Sequence, residues 1–150
     1  MPEDAANGEI ARGFGEHLAV NGLRIDVLGP GGGWEKVAEA AISDAKELRR
    51  YPARYLVLLI DSDGQADRIG TILQRIPEDI AERVFVVSSL WDAESLRSAI
   101  KMKFAQIGEA LASDCTENEM THWMHDHLRH NEGEVQRLRL AVKHFLFVQP

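Results

Sequence analysis

The stretch Tyr55-Leu56-Val57-Leu58-Leu59-Ile60-Asp61-Ser62-Asp63-Gly64 decides how the rest of the chain is interpreted. Its run of apolar residues is too short for a buried helix and favours a strand that is covered on both faces. Two aspartates and a glycine follow at once. Because ligands bind beyond the carboxyl ends of the strands in an open parallel sheet, we expect the chemistry of this protein to lie just after Ile60.

Asp61 and Asp63 are candidate metal ligands. Carboxylates two residues apart, on a backbone that is leaving a sheet, can both turn toward one divalent cation. Hard oxygen ligands of this kind suit Mg²⁺ or Mn²⁺ better than Zn²⁺. The alternative is that both aspartates only cap the next helix and form a turn with Gly64.

Size and composition describe an ordinary globular protein. A chain of 150 residues, 45% of them apolar and 27% charged, is expected to form a single domain with its own core. No apolar run approaches the roughly 20 residues of a membrane span, and residues 1–4 lack the features of a signal peptide. The lone Cys115 excludes an internal disulfide and a cysteine-rich zinc site. We therefore expect a cytoplasmic protein without a membrane partner.

The net charge of −7 bears on nucleic-acid binding. It argues against a sequence-independent coat protein, which needs a broad basic surface. It does not exclude an enzyme that acts on nucleic acid and whose carboxylates hold metal ions.

Strand and helix patterns alternate through the first two thirds of the chain. We expect, in order, a helix with Ile10, Phe14 and Leu18 on its buried face that ends at Asn21-Gly22, a strand over 23–28, and a helix from Trp34 with Val37, Ala41, Ala45 and Leu48 buried. The central strand then leads to a helix that packs through Ile69, Ile72, Leu73 and Ile76 and stops at Pro77, a strand over 84–87, and a long helix from Asp92 to Leu111.

Helical patterns dominate the last third. Thr116 and Glu119 have the spacing of a capping box for a further helix, and Gly133 separates that helix from the last one. The whole pattern predicts an α/β fold, a parallel sheet with flanking helices. Residues 1–150 form one domain, in which 113–150 are a helical extension.

A glutamate near the start of a helix, followed by a strand that ends in Asp-x-Asp, resembles the TOPRIM domain. That family includes topoisomerases, bacterial primases and nucleases of the overcoming-lysogenization-defect (OLD) type. The resemblance covers residues 1–95 and implies a TOPRIM/Rossmann-like sheet in which Glu3, Asp61 and Asp63 together hold Mg²⁺ (or Mn²⁺) for phosphoryl transfer. In the family a strand precedes this glutamate, whereas only Met1 and Pro2 precede it here.

The OLD-type nuclease branch is the most similar. It often has a second ligand one turn after the glutamate, where Asn7 stands, and a glycine-rich turn with a lysine, which resembles 31–33 and Lys36. It can also add an acid after the next strand, where Glu94 is the candidate ligand and Asp92 the candidate helix cap. The resemblance thus implies a Mg²⁺-dependent nuclease or nicking activity on nucleic acid, with Glu3, Asn7, Asp61, Asp63 and Glu94 as metal ligands and Lys36 on the phosphate.

Histidines are concentrated in 122–132. On a helix, His122, Asp126, Arg129 and His130 would share a face, where imidazoles can bind zinc or transfer protons. The spacing fits neither a zinc finger nor His-Glu-x-x-His, which favours a structural or surface role. If the group is functional, we expect His130, as a catalytic candidate, and Asn131 to contact substrate or partner.

Two alternatives remain open at this stage. The stretch 59–64 also resembles the opening motif of haloacid-dehalogenase-like phosphatases, which would make Asp61 the nucleophile, Asp63 the acid/base and Ser88 the phosphate-binding hydroxyl. The chain could instead be a degenerate, non-catalytic TOPRIM-like module that binds a protein partner through its C-terminal helices.

Overall fold

A computed structural model describes residues 1–148 as a mixed α/β protein. Its helices are α1 (Ala5–Glu16), α2 (Trp34–Ser43), α3 (Ala45–Arg50), α4 (Arg68–Leu73), α5 (Ala93–Ile100), α6 (Phe104–Glu117) and α7 (Glu132–Leu146). The strands are β1 (Leu56–Asp61) and β2 (Val84–Ser89), and short 3₁₀ helices span Gly22–Arg24, Glu78–Arg83 and Arg129–Asn131. Among residues 1–148, no helix is long and apolar enough to cross a membrane.

The two strands predicted after Tyr55 and before Ser88 are confirmed, and they pair in parallel. Their register aligns Leu56 with Val84 and Asp61 with Ser89. Residues 1–3 lie along the other edge of β1, where the Leu59 N–H donates to the Met1 carbonyl at 3.0 Å and the Glu3 N–H donates to the Leu59 carbonyl at 2.7 Å. Residues 1–3 therefore extend the sheet by a single parallel bridge, on the side of β1 opposite β2.

Each face of the sheet supports its own core because neighbouring strand residues point to opposite sides. Leu56, Leu58 and Ile60 pack with the buried face of α2, α3 and α4. The predicted core residues of that layer are confirmed, since Val37, Ala41, Ala45, Leu48, Ile69, Ile72 and Ile76 are all buried. Val57 and Leu59 point to the other layer, which contains α1, α5, α6 and the segment around Trp123.

The predicted strand over 23–28 is wrong. Residues 22–24 form a 3₁₀ helix, Leu23 is 98% exposed, and the chain reaches the sheet only at Gly31 and Gly32. The N–H groups of these glycines donate to the Pro2 and Glu3 carbonyls, both at 2.9 Å. An alternating pattern forms a strand only where a neighbouring backbone is available for hydrogen bonding. Here residues 1–3 pair only with Gly31 and Gly32.

The first helix is shorter than predicted. It ends at Glu16 and not at Asn21-Gly22, and Leu18 lies outside it with 98% of its surface exposed. Its buried face instead includes Ala6 and Gly13, because α1 crosses α6 at very short range. A Cβ atom on Gly13 would lie 2.0 Å from the Ala105 carbonyl oxygen, and one on Gly108 would lie 2.0 Å from that of Ile10.

The long helix predicted from Asp92 to Leu111 is two helices. Asp92 does cap the first, since its Oδ1 accepts from the Ser95 N–H at 2.6 Å. Lys101 then adopts a left-handed conformation with φ of 58°, which ends α5 before α6 begins at Phe104.

The helix predicted between Glu119 and Gly133 is absent from the described residues, where 119–128 form turns. Thr116 lies inside α6, and Gly133 lies inside α7 rather than between two helices. The buried Asp114 carboxylate holds these turns, because it accepts from the N–H groups of His122 and Trp123 at 2.6 and 3.1 Å and lies 2.9 Å from His122 Nδ1. The shared helical face proposed for His122, Asp126, Arg129 and His130 therefore does not form.

Side chains at the start of α7 cover the free edge of β2. Asn131 Oδ1 accepts from the Ser88 N–H at 2.9 Å, and its Nδ2 donates to the Ser88 carbonyl at 2.8 Å. Glu134 accepts from the Val86 N–H, and Arg137 donates to the Val84 carbonyl. The helix thus supplies the hydrogen bonds that a further strand would make, which protects an otherwise exposed sheet edge.

Candidate functional site

Two of the three acids predicted to converge, Glu3 and Asp61, are in contact at the carboxyl end of the sheet. Glu3 ends the short segment paired with β1, and Asp61 is the last residue of β1. Glu3 Oε2 accepts a hydrogen bond from the Asp61 backbone N–H at 2.7 Å, although 58 residues separate them in sequence. The parallel pairing of 1–3 with β1 brings both acids to the same edge.

The Asp61 carboxylate is held in one orientation from two sides. Asn7 Nδ2 donates to its Oδ1 at 3.1 Å, and Ser89 Oγ donates to the same atom at 3.0 Å. Asp4 caps α1 by accepting from the Asn7 N–H at 2.8 Å, which fixes Asn7 in the first turn. Asn7 is therefore in the predicted cluster, in contact with Asp61. Ser89 was missed by sequence reasoning, although its place at the end of the neighbouring strand was a usable signal.

The two buried acids of the cluster, Asp61 and Glu3, both have raised pKa values. Burial raises the pKa of Asp61, and repulsion from Asp4 and Asp92 adds to it against the hydrogen bonds from Asn7 and Ser89. Burial also raises the pKa of Glu3, assisted by repulsion from Asp61, Asp63 and Asp4. Burial is thus the main cause of both raised pKa values, and repulsion between the acids adds less.

The raised pKa of Asp61 predicts how stability changes with pH. A carboxyl whose pKa is higher in the folded state lowers the free energy of unfolding at neutral pH. This destabilisation disappears as the pH falls through the folded-state pKa toward the ordinary value of 3.8. Asp61→Asn is therefore expected to unfold at a higher temperature than wild type at about pH 7, with a difference that shrinks toward about pH 4. Thermal unfolding of both proteins checks this. A difference that grows on acidification would contradict the assignment.

Asp63 lies at the same edge but forms an ion pair with Arg68. Its carboxylate is 60% exposed and receives a 2.6 Å hydrogen bond from Arg68, whose side chain is only 6% exposed. Arg68 also donates to the Asp61 carbonyl at 2.7 Å and lies over the Trp34 ring, 4.9 Å from its centroid. Arg68 was not predicted from the sequence, because the helix pattern after Gly64 does not show that the Arg68 side chain turns back toward the loop.

The turn at Asp63 and Gly64 is held to the segment after β2. Asp63 has a φ of 48° and Gly64 one of 76°, and their N–H groups donate to the carbonyls of Trp91 and Leu90. A Cβ atom on Gly64 would lie 2.5 Å from the Trp91 ring, so glycine is required for this close approach. The Asp-x-Asp-Gly motif therefore forms a rigid loop and not a simple helix cap.

Lys36 lies beside the glycine-rich turn. It is an exposed residue of the first turn of α2, and its Nζ lies 3.8 Å from the position of a Cβ atom on Gly32. Because the Gly32 N–H donates to the Glu3 carbonyl, Lys36 is near the acidic cluster without pairing with it. The structure therefore places Lys36 beside Gly32 with its side chain exposed.

Glu94 is not part of the cluster that surrounds Asp61. It lies exposed in the first turn of α5. The acid of this segment whose charge acts on Asp61 is Asp92, the helix cap. The structure thus favours Asp92 over the predicted Glu94 as the acid nearest the site.

His130 belongs to a chain of hydroxyl groups behind the loop. Its Nε2 lies 2.8 Å from Ser88 Oγ, and Ser62 Oγ lies 2.7 Å from the same hydroxyl. Burial lowers the pKa of His130, which favours the neutral imidazole. Asn131 is fully buried against β2, so the prediction that it contacts substrate or partner is wrong.

The ligand atoms at this site suit Mg²⁺, but the side chains are not arranged to hold the ion. Carboxylate and amide oxygens of Glu3, Asp61, Asp63 and Asn7 are the ligand type that Mg²⁺ prefers. Within residues 1–148, however, no three His, Cys, Asp or Glu side chains are grouped so that they could hold a metal ion. Glu3 and Asp63 are engaged by the Asp61 N–H and by Arg68, and both would have to exchange these partners for the ion.

Comparisons of the chain with protein-family models, with curated proteins and with solved structures found no match. The resemblance to the TOPRIM domain therefore depends on the residues and contacts described above.

Proposed function

We propose that this chain is a TOPRIM-like domain that hydrolyses phosphodiester bonds in nucleic acid with the help of Mg²⁺ or Mn²⁺. The observation that supports it most is the hydrogen bond between the Glu3 carboxylate and the Asp61 N–H at the carboxyl end of a parallel pair of strands. A glutamate just before a helix and a strand that ends in Asp-x-Asp are the features on which the resemblance depends.

In this proposal each residue has a separate task. Glu3, Asp61 and Asp63 hold the ion, and Asn7 and Ser89 keep the Asp61 carboxylate oriented. Bound Mg²⁺ would supply positive charge to the phosphoryl oxygens and lower the pKa of the attacking water.

The basic side chains near the loop have different roles. Lys36 is free to approach the scissile phosphate because it is exposed beside Gly32. Arg68 holds the loop through the Asp61 carbonyl and balances the charge of Asp63 until the ion binds. His130 supports Ser62 through Ser88 and does not itself touch substrate.

The phosphatase alternative would use Asp61 as a nucleophile. Asp61 is 8% exposed, and its Oδ1 already accepts two hydrogen bonds, which disfavours attack on phosphorus. The Ser88 hydroxyl is engaged by Ser62 and His130 and is 2% exposed, so it is poorly placed to bind phosphate.

Two observations favour the non-catalytic alternative: the Asp63–Arg68 ion pair, and the absence, within residues 1–148, of three His, Cys, Asp or Glu side chains grouped to hold a metal ion. The exposed Leu140 on α7, 69% accessible, would then be part of a surface for a protein partner.

Cleavage and trapping experiments separate the three functions. Supercoiled plasmid and single-stranded DNA and RNA are incubated with the protein and Mg²⁺, Mn²⁺ or EDTA, and p-nitrophenyl phosphate with beryllium fluoride is tested in parallel. Nicking or degradation that requires the ion is the expected result. Phosphatase activity blocked by beryllium fluoride would instead assign the nucleophile role to Asp61. Inactivity toward every substrate would favour the partner-binding module.

A further inference from the structure

A cavity of about 560 Å³ lies next to the face of β1 that carries Val57 and Leu59. Its apolar lining comes from α1, α5, α6 and α7 and from the segment around Trp123. The volume falls in the range of pockets that bind small molecules. Most of its lining is aliphatic or aromatic, although Asn7 and Ser89, which hold the Asp61 carboxylate, line one part of it.

The two faces of β1 differ in how well they are covered. Leu58 and Ile60, on one face, have no exposed surface. Val57 and Leu59, on the other face, are only partly buried, although β1 lies between residues 1–3 and β2. Protein interiors are close-packed, so apolar surface left uncovered in this position favours an apolar occupant.

The lining changes in character from its inner end to its opening. Leu111, Cys115 and Trp123 are buried, whereas the exposed lining residues all lie in 24–26 and 51–54. The cavity therefore opens near the amino end of β1, away from the edge that carries Asp61.

Arginines outnumber acids in the lining, although the net charge of the chain is −7. The charged side chains of the lining are Arg24, Arg54, Arg139 and a single acid, Asp26. Arg54 also approaches Asp44 at 3.8 Å, and Arg139 donates to the Cys115 carbonyl at 2.8 Å, so both arginines are held near the cavity.

We propose that this cavity binds a single-chain amphipath with an anionic headgroup, such as a long-chain carboxylate. The tail covers Val57, Leu59 and the aromatic inner end, and the headgroup meets Arg24 and Arg54 at the opening. The proposal does not depend on the nuclease function.

Trp123 makes the proposal directly testable, because it lines the cavity while Trp34 and Trp91 do not. Palmitate brominated along its tail is expected to quench tryptophan fluorescence saturably. Trp123→Phe is expected to remove most of the quenching while calorimetry shows that palmitate still binds.

The headgroup is tested with hexadecanol, palmitate and hexadecyl phosphate. The double variant Arg24→Gln/Arg54→Gln is expected to weaken palmitate binding by about tenfold and to leave hexadecanol unaffected. Arg75→Gln, an exposed arginine outside the lining, is the matched control. Tighter binding of the phosphate than of palmitate would assign a phosphate headgroup. Hexadecanol bound as tightly as both anions would overturn the anionic part of the proposal.

Filling the cavity tests the location. Val57→Phe is expected to abolish palmitate binding and to preserve the circular dichroism spectrum. If Val57→Phe does not fold, Ala11→Leu, in the part of α1 that lines the cavity, replaces it in the experiment. Palmitate that fails to bind wild type saturably, or binds the filled variant equally well, would overturn the proposal.

Discussion

Asp61→Asn is expected to lower Mg²⁺-dependent cleavage by more than about 100-fold, since even the outer partners of metal ligands contribute 10- to 100-fold. Asparagine preserves the shape of the side chain and can still accept from Ser89 Oγ, so the change removes mainly the negative charge. The rate is measured on the substrate that wild type cleaves fastest, across a range of Mg²⁺ concentrations.

This loss can be distinguished from unfolding. Because the pKa of Asp61 is raised in the folded state, removing its charge is expected to leave stability unchanged or higher at neutral pH. Glu109→Gln, which removes an exposed carboxylate from α6, is the control and should retain wild-type activity. Cleavage by Asp61→Asn at the wild-type rate would end the nuclease proposal.

Gly108→Ala is expected to lower the free energy of unfolding by about 3 kcal/mol or more. Its Cβ atom would lie 2.0 Å from the Ile10 carbonyl oxygen and 2.6 Å from the Phe14 nitrogen. Both are backbone atoms of α1, so the clash cannot be relieved by a change of side-chain rotamer and the helices must separate. Urea unfolding followed by circular dichroism measures the change.

The matched control for this substitution is Gly70→Ala. Gly70 lies in α4 and has no atom within 4 Å of the position of an added Cβ. Alanine is favoured over glycine inside a helix by roughly 0.5–1 kcal/mol, so this variant should be slightly more stable than wild type. Equal effects of the two substitutions would show that α1 and α6 do not cross as described. Because α1 carries Asn7, the same contact positions one side of the acidic cluster.

The parts of the fold that were predictable are those in which burial alone determines the pattern. The uninterrupted apolar runs of β1 and β2 predicted two buried strands, and the spacing of Val37, Ala41, Ala45 and Leu48 predicted a helix face. The contact of Glu3 with Asp61 was predicted only by the family resemblance, since no strand was predicted before Glu3.

The predictions that were wrong concern segments whose structure depends on contacts distant in sequence. The turns after Glu119 are determined by the buried Asp114 carboxylate, and a helical spacing of histidines carries no information about that contact. Leu18 appeared to continue the face of Ile10 and Phe14, but the glycine contact between α1 and α6 determines which residues α1 buries. Ser89 could have been predicted from its place at the end of the neighbouring strand, whereas the contact of Arg68 with Asp63 is visible only in three dimensions.

The central claim is that acids distant in sequence share one cation at the carboxyl end of this sheet. Calorimetric titration of Mg²⁺ and Mn²⁺ into wild type, Glu3→Gln and Asp61→Asn tests it most directly. The account predicts one saturable site in wild type that each substitution weakens by roughly tenfold or more. No binding to wild type, or binding that neither substitution changes, would contradict it.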